Sequence, residues 1–270
     1  MQFIFMMRYS YFGRSDWRSP VSQNPGELFS RDRLAHRFNL FEKVALQSLA
    51  DQTDKDFKLL LLSSEGLPER HKTLLRDVTA DKLGSDRVHL MFEDPDMAGT
   101  RFRRYLKTNL NDTHMTSQIV LDDDDAVATN YVEVLRREAL TATALFQPGQ
   151  EHTYVSFPKG VTANFGDNGV QVHHRTSPFT ALGLALISPT MAKRNAYFIA
   201  HKRIARRHPV RMIYSQAPMY IRSLHGMNDS RGLFDDDQLS AVELDDLHQR
   251  FPLLHRFKVN QTQPELQLAG

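Results

Sequence analysis

The sequence predicts an α/β fold: a mostly parallel central sheet flanked by helices, followed by a more antiparallel second half. Three observations carry this. Short apolar runs alternate with stretches of helical periodicity from residue 1 to about residue 120. The first of those runs is continuously apolar and the second reads as buried, as strands covered on both faces are. After residue 145 the alternation gives way to strand-like segments around turn-rich stretches.

Taken in order, “QFIFMM” reads as a buried first strand ending at Arg8, Tyr9 and Ser10. Residues 11–30 carry Gly13, Pro20, Pro25 and Gly26 and read as a loop. From Arg31 to Asp51 the residues Leu34, Phe38, Phe41, Val44, Ala45, Leu46 and Leu49 recur at helical spacing. “FKLLLLSS” is a second strand, and “LPERHKTLLRDVTA” a helix that opens near a proline. “RVHLMF” is the third strand and “TRFRRYLKTNL” the third helix, with Thr100 as its N-cap. “SQIVL” is the fourth strand, and it runs straight into Asp122, Asp123, Asp124 and Asp125.

In the second half “EHTYVSFPKG” and “GVQVHHR” are short strands around “NFGDNG”, and “LGLALIS” is a further apolar strand. Residues 191–208 read as a basic helix, and “APMYIRSLHG” as a last strand ending in His225 and Gly226. A helical “LSAVELDDLHQRF” lies in the tail. With no repeats and no linker, the 270 residues read as one continuous domain.

Composition excludes several classes. Hydrophobic residues at 41% and charged residues at 24% fit a globular chain. A formal net charge of +2 carries no polyanion-binding signature, so no nucleic-acid partner is expected. The absence of cysteine removes disulfides, thiolate nucleophiles and cysteine zinc sites, and suits a reducing compartment. The apolar N-terminal run is too short for a signal-peptide core, and no segment approaches the ~18 apolar residues of a spanning helix. The expected location is cytoplasmic. Lys193, Arg194, Lys202, Arg203, Arg206 and Arg207 leave two readings open, a solvated helix face or peripheral contact with an anionic membrane.

Open parallel sheets bind ligands beyond the carboxyl ends of their strands. Both “RYS” and “DDDD” fall at such ends. A hard cation such as Mg²⁺ or Mn²⁺ wants oxygen ligands and offsets the repulsion among adjacent carboxylates. In an extended segment Asp122 and Asp124 point one way and Asp123 and Asp125 the other. One pair can then hold metal, while a member of the other meets a sugar or ribose hydroxyl or caps a helix beginning near Ala126. A capped helix with acidic neighbours is the plainer reading of such a run; the buried strand ahead of it and its length favour the metal.

On “RYSYFG”, Trp17, “RDRLAHRFNLFEKVALQSLADQTDKDFKLLLLSSEGLP” and “VLDDDDAV”, the chain resembles GT-A-type glycosyltransferases. Their hallmark is a DxD after a strand in the nucleotide-binding half. More narrowly it resembles a bacterial rhamnosyltransferase family, over about the first half of the chain and again at “LHGMNDS”. The resemblance implies a GT-A-like fold with a nucleotide-sugar-binding half (1–145), an acceptor-side half (146–230) and a C-terminal tail (231–270). It implies a nucleoside-diphosphate sugar donor, a Mn²⁺ or Mg²⁺ ion, and transfer to a hydroxyl of a glycan or lipid-linked acceptor.

Asp122, Asp124 and Asp125 are then the expected carboxylate ligands, and Asp122 and Asp123 the groups open to the donor sugar or ribose. His225 matches the histidine that many such enzymes add to the metal near the end of the catalytic domain. Arg8 and Tyr9 are candidates to meet the nucleotide, with Arg33 favoured among Arg31, Arg33 and Arg37. Arg101 and Arg104 share a helix face from which one can approach the diphosphate or pair with the aspartates. For an inverting reaction Glu151, Asp167 and Asp229 are the candidate bases, and no spacing selects one. The alternatives are a metal-dependent nucleotidyl or phosphoryl transferase and a non-catalytic, cation-stabilised interaction module. The missing GxxxxGK weighs against the first, and the match over residues 31–68 against both.

Overall fold

The computed structural model describes residues 1–13, 21, 24–110, 115–166, 169–226 and 241–260. The four expected strands are present as β1 (Gln2–Arg8), β2 (Lys58–Ser64), β3 (Val88–Glu93) and β4 (Met115–Val120). They pair in parallel in the order β3-β2-β1-β4. Beyond β4 the seven-stranded sheet continues with β9 (Leu184–Pro189), β6 (Thr153–Ser156) and β10 (Val210–Met212). Strand β9 is antiparallel to both β4 and β6. Because the chain steps from β3 across to the far side of β1, a topological switch lies between β1 and β4.

Both faces of the sheet are covered, which is why β1 and β2 carry continuous apolar runs rather than alternating ones. Phe3, Phe5 and Met7 share a buried cluster with Leu34, Phe41, Leu46 and Leu75. Their neighbours Ile4 and Met6, on the opposite face, join Leu60, Leu62, Phe102 and Leu106. The helices responsible are α2 (Arg31–Leu40), α3 (Leu46–Ala50), α4 (Glu69–Leu83), α5 (Ala98–Asn109) and α6 (Tyr131–Ala144). A short α1 (Pro25–Leu28) sits in the expected loop, opened by Asn24, whose side chain accepts from the Gly26 N–H.

The single helix expected from Arg31 to Asp51 is continuous but irregular: Phe41–Ala45 forms a π turn, closed by the Leu46 N–H on the Phe41 carbonyl. The extra residue lets one helix serve two cores. Leu34, Phe41 and Leu46 face the large sheet, while Leu40 and Val44 pack with a second, smaller sheet. That sheet has the order β5-β11-β7-β8, from β5 (Ala126–Val127), β11 (Tyr220–Leu224), β7 (Lys159–Gly166) and β8 (Gly169–Thr176). Val161, Ala163, Val172 and Ile221 on it are sealed by Leu244 and Leu247 of α7 (Ala241–Arg250). The antiparallel pairs β4/β9, β6/β9 and β7/β8 give the second half its expected character.

Three expectations need correction. Residues 126–127 form a strand, and the helix after the aspartates begins only at Tyr131. The backbone there is engaged across the fold: the Val127 N–H reaches Ser48 Oγ and the Ala128 N–H the Met219 carbonyl. Helix α5 starts before Thr100, with Met97 at the cap position, because Ala98 and Gly99 are buried against residues 197–198. The basic helix over 191–208 is absent; only His201–Arg206 is helical, as a 3₁₀ turn. Its backbone bonds elsewhere: the Ala196 N–H to Gln118 Oε1 and the Tyr197 N–H to Asn195 Oδ1. Among the described residues no helix is long and apolar enough to cross a membrane.

Candidate active site

The four aspartates follow β4 as a turn, with the Asp125 N–H on the Asp122 carbonyl at 3.3 Å. A turn breaks the strict alternation of an extended chain, so the expected pairing of Asp122 with Asp124 and of Asp123 with Asp125 does not hold. Each carboxylate meets a different partner. Asp122 accepts from Arg8 Nη2 at 3.4 Å, at the end of β1. Asp123 is gripped by Arg37 of α2, through Nε at 3.1 Å and through Nη2. Asp124 Oδ2 lies 2.9 Å from His225 Nε2. Asp125 Oδ1 accepts the Ser223 N–H of β11 at 2.7 Å.

The electrostatics follow from burial. Asp123, Asp124 and Asp125 are almost wholly buried, whereas the Asp122 side chain keeps 28% of its exposure. Burial pushes the Asp123 pKa up to about 6, against the opposing charge of Arg37. It pushes Asp125 well above the carboxylate range, and the charges of Asp124 and Asp122 add to the rise. Burial acts the same way on Asp124, but the His225 hydrogen bond and the Arg37 charge outweigh it and hold that pKa low.

A cleft of about 290 Å³ opens at the switch between β1 and β4. Arg8 and Asp122 line it together with Met97, Ala98 and Gly99 at the start of α5, and with Tyr197 and His201. The Arg8 guanidinium lies 5.0 Å over the Tyr197 ring. Tyr197 is itself fixed by donating its hydroxyl to the Met6 carbonyl at 2.9 Å. At Gly99 a side chain would come within 2.5 Å of the Phe198 ring, so that wall is built around a bare backbone.

The other expected residues are scattered. Tyr9 is fully buried, with its hydroxyl 2.6 Å from His71 Nε2 and its ring edge-on to Phe41; it does not line the cleft. Arg33 is buried one turn before Arg37. Arg101 and Arg104 are committed to Glu93, at 2.9 and 2.6 Å, rather than to the aspartates. Glu151 is exposed just ahead of β6. Since β9 is antiparallel to both β4 and β6, Glu151 sits at the amino end of the sheet, opposite the aspartates. Asp167 and Asp229 lie outside the described residues.

Sequence reasoning did not single out His36, Tyr197, Phe198 or the start of α5. Arg37 carried a signal, being spaced one helical turn from Arg33. His36 stands at 3.2 Å from His225 Nδ1 across 189 positions of sequence, which no local pattern marks.

The donor set at Asp124 and His225 suits a divalent ion. Its oxygen and nitrogen are 2.9 Å apart, the separation of neighbouring ligands in an octahedral shell with bonds of about 2.1 Å. Among the described residues no three His, Asp or Glu side chains converge on one point.

The family described as “Putative rhamnosyl transferase” matches residues 2–236. No curated protein matches the chain. Among solved structures, S. aureus TarS is 11% identical over 83% of this chain and 37% of its own, with a TM-score of 0.41. Mouse xyloside xylosyltransferase 1 is 15% identical over 57% of this chain and 52% of its own, with a TM-score of 0.29. The bifunctional glycosyltransferase WbbM is 13% identical over 70% of this chain and 31% of its own, with a TM-score of 0.31. The chain spans about a third to a half of the length of these structures.

Proposed function

Because the chain belongs to this rhamnosyl transferase family and is a glycosyltransferase, we propose that it moves a sugar from a nucleoside-diphosphate donor to a hydroxyl of a glycan or lipid-linked acceptor, with Mn²⁺ or Mg²⁺. The observation that carries the reading is the cleft at the β1/β4 switch, bounded by Arg8, Asp122 and the start of α5. The donor diphosphate belongs there. Arg8 faces it as a fixed cation, and the amino-terminal end of α5 favours negative charge.

Asp124 and His225 would hold the ion, with Asp122 beside the cleft as a further carboxylate. When bound, the ion neutralises charge on the departing diphosphate. The remaining residues position these groups. Arg37 occupies Asp123 and so ties α2 to the turn. Asp125 holds the Ser223 backbone, and with it the end of β11 from which His225 projects. Tyr197 keeps the Arg8 guanidinium at the cleft. For an inverting reaction Asp167 and Asp229 are the base candidates. Rhamnose is the first donor sugar to test. A donor of this class and the cysteine-free chain suit a cytoplasmic reaction, and the exposed Lys193, Arg194, Arg203 and Arg206 offer contact with an anionic membrane that carries the acceptor.

The test is a thermal-shift panel of UDP, GDP, CDP and dTDP, each with and without Mn²⁺. One nucleotide is expected to stabilise the protein only when Mn²⁺ is present. Asp124→Ala should remove that stabilisation and turnover while leaving the circular dichroism spectrum unchanged. A flat response across the whole panel would overturn the reading.

A further inference from the structure

We propose that His36 is a positioning residue for the divalent ion, orienting the His225 imidazole and setting which of its nitrogens carries the proton. The inference rests on the metal reading of Asp124 and His225 above. His36 is half-buried on α2, next to the Arg37 that ties this helix to the aspartate turn. Its Nε2 lies 3.2 Å from His225 Nδ1, with the rings 4.8 Å apart and tilted by 56°. The other nitrogen of His225 faces Asp124 Oδ2 at 2.9 Å. Asp124, His225 and His36 thus form one continuous chain from the turn to α2.

Two states of that chain make opposite demands. Without an ion an ionised Asp124 only accepts, so His225 carries its proton on Nε2, and its Nδ1 accepts from His36 Nε2–H. An imidazole that ligates through Nε2 must present a lone pair there and carry its proton on Nδ1. His36 Nε2 then becomes the acceptor. With both rings neutral the exchange balances: the His225 Nε2 proton leaves to water, the His36 Nε2 proton passes to His225 Nδ1, and His36 Nδ1 takes one from water. Only a side chain able both to donate and to accept serves both states. A ligating histidine is commonly held by such a partner on its second nitrogen.

The experiment is a Mn²⁺ titration read by the electron paramagnetic resonance signal of the free ion. It is run on the full chain alone and with each of the four nucleoside diphosphates. In His36→Leu, binding should weaken by about 10-fold or more, while His36→Gln, which keeps a donor and an acceptor, should stay within about 3-fold of wild type. In the wild type with Mg²⁺, imidazole ¹⁵N spectra should show His225 protonated at Nδ1, and in His36→Leu a mixture of tautomers. If the wild type fails to bind Mn²⁺, the metal reading falls and this inference with it. If the wild type binds, His225→Ala does not, and His36→Leu binds as well as wild type with an unchanged tautomer, only the role of His36 is overturned.

Discussion

Arg37 and Asp123 are buried together, 4% and 1% exposed, so Asp123 cannot lose the guanidinium without leaving a buried carboxylate stranded. Arg37→Ala should destabilise the protein by about 3–5 kcal/mol, read from urea unfolding. The paired change Arg37→Met with Asp123→Leu should recover most of that loss, because the cost lies in the unpaired ion rather than in the missing bond. A single variant as stable as wild type would mean that α2 is not anchored through this pair. The Arg8–Asp122 contact is longer and its carboxylate is open to solvent. Asp122→Asn should therefore change stability by less than about 1 kcal/mol while weakening the Mn²⁺-dependent nucleotide shift. Two ion pairs within a few residues thus differ in how far the carboxylate is shielded from solvent.

At the scale of elements, the π turn Phe41–Ala45 sets the rotation between α2 and α3. Deleting the exposed Lys43 would turn α2 by about 100° relative to α3, pulling Leu34 and Arg37 off their partners. A clear fall in the urea midpoint is expected, together with loss of the nucleotide shift; an unchanged midpoint would show that the turn has no packing role. Gly99 gives a second contest. Gly→Ala inside a helix ordinarily stabilises by about 1 kcal/mol, but here the new methyl meets the Phe198 ring at 2.5 Å. Sterics should win at the cleft: Gly99→Ala is expected to fold normally and to bind the nucleotide–Mn²⁺ pair more weakly. Adding Phe198→Ala should restore the binding.

The whole molecule has a pH signature set by its buried rings. Burial holds His71, His152 and His208 below their ordinary value of 6.5. In the window below 6.5 the unfolded chain binds more protons than the folded one, so these rings withdraw stability as pH falls. Asp123 and Asp125, raised by burial, act in the opposite sense. The two effects separate in a difference measurement, since a His71→Gln, His152→Gln, His208→Gln variant keeps the carboxylates. Between pH 7.5 and 5.5 the urea midpoint of that variant should fall less than that of the wild type. Equal falls would mean that the rings are not held neutral by burial.

The sequence by itself determined the large sheet. A parallel strand covered on both faces favours a continuous apolar run, and such runs end where the chain leaves the sheet, so β1 and β2 stood out most clearly. Strands β3 and β4, which carry His89 and Thr116–Gln118, were legible from the strand–helix alternation around them. The strand that leads to His225 was legible as well, although it carries Arg222 and Ser223 and pairs in the smaller sheet. The tertiary structure decided what local propensity leaves open. Residues 126–127 became a strand because β11 offered backbone partners, and residues 191–200 stayed irregular because Gln118 and Asn195 took their N–H groups. It also decided which aspartate meets which partner, since Arg8, Arg37, Ser223 and His225 arrive from three separate elements and the loop after β11. Contacts across a hundred residues depend on how whole elements pack, and no local period encodes them.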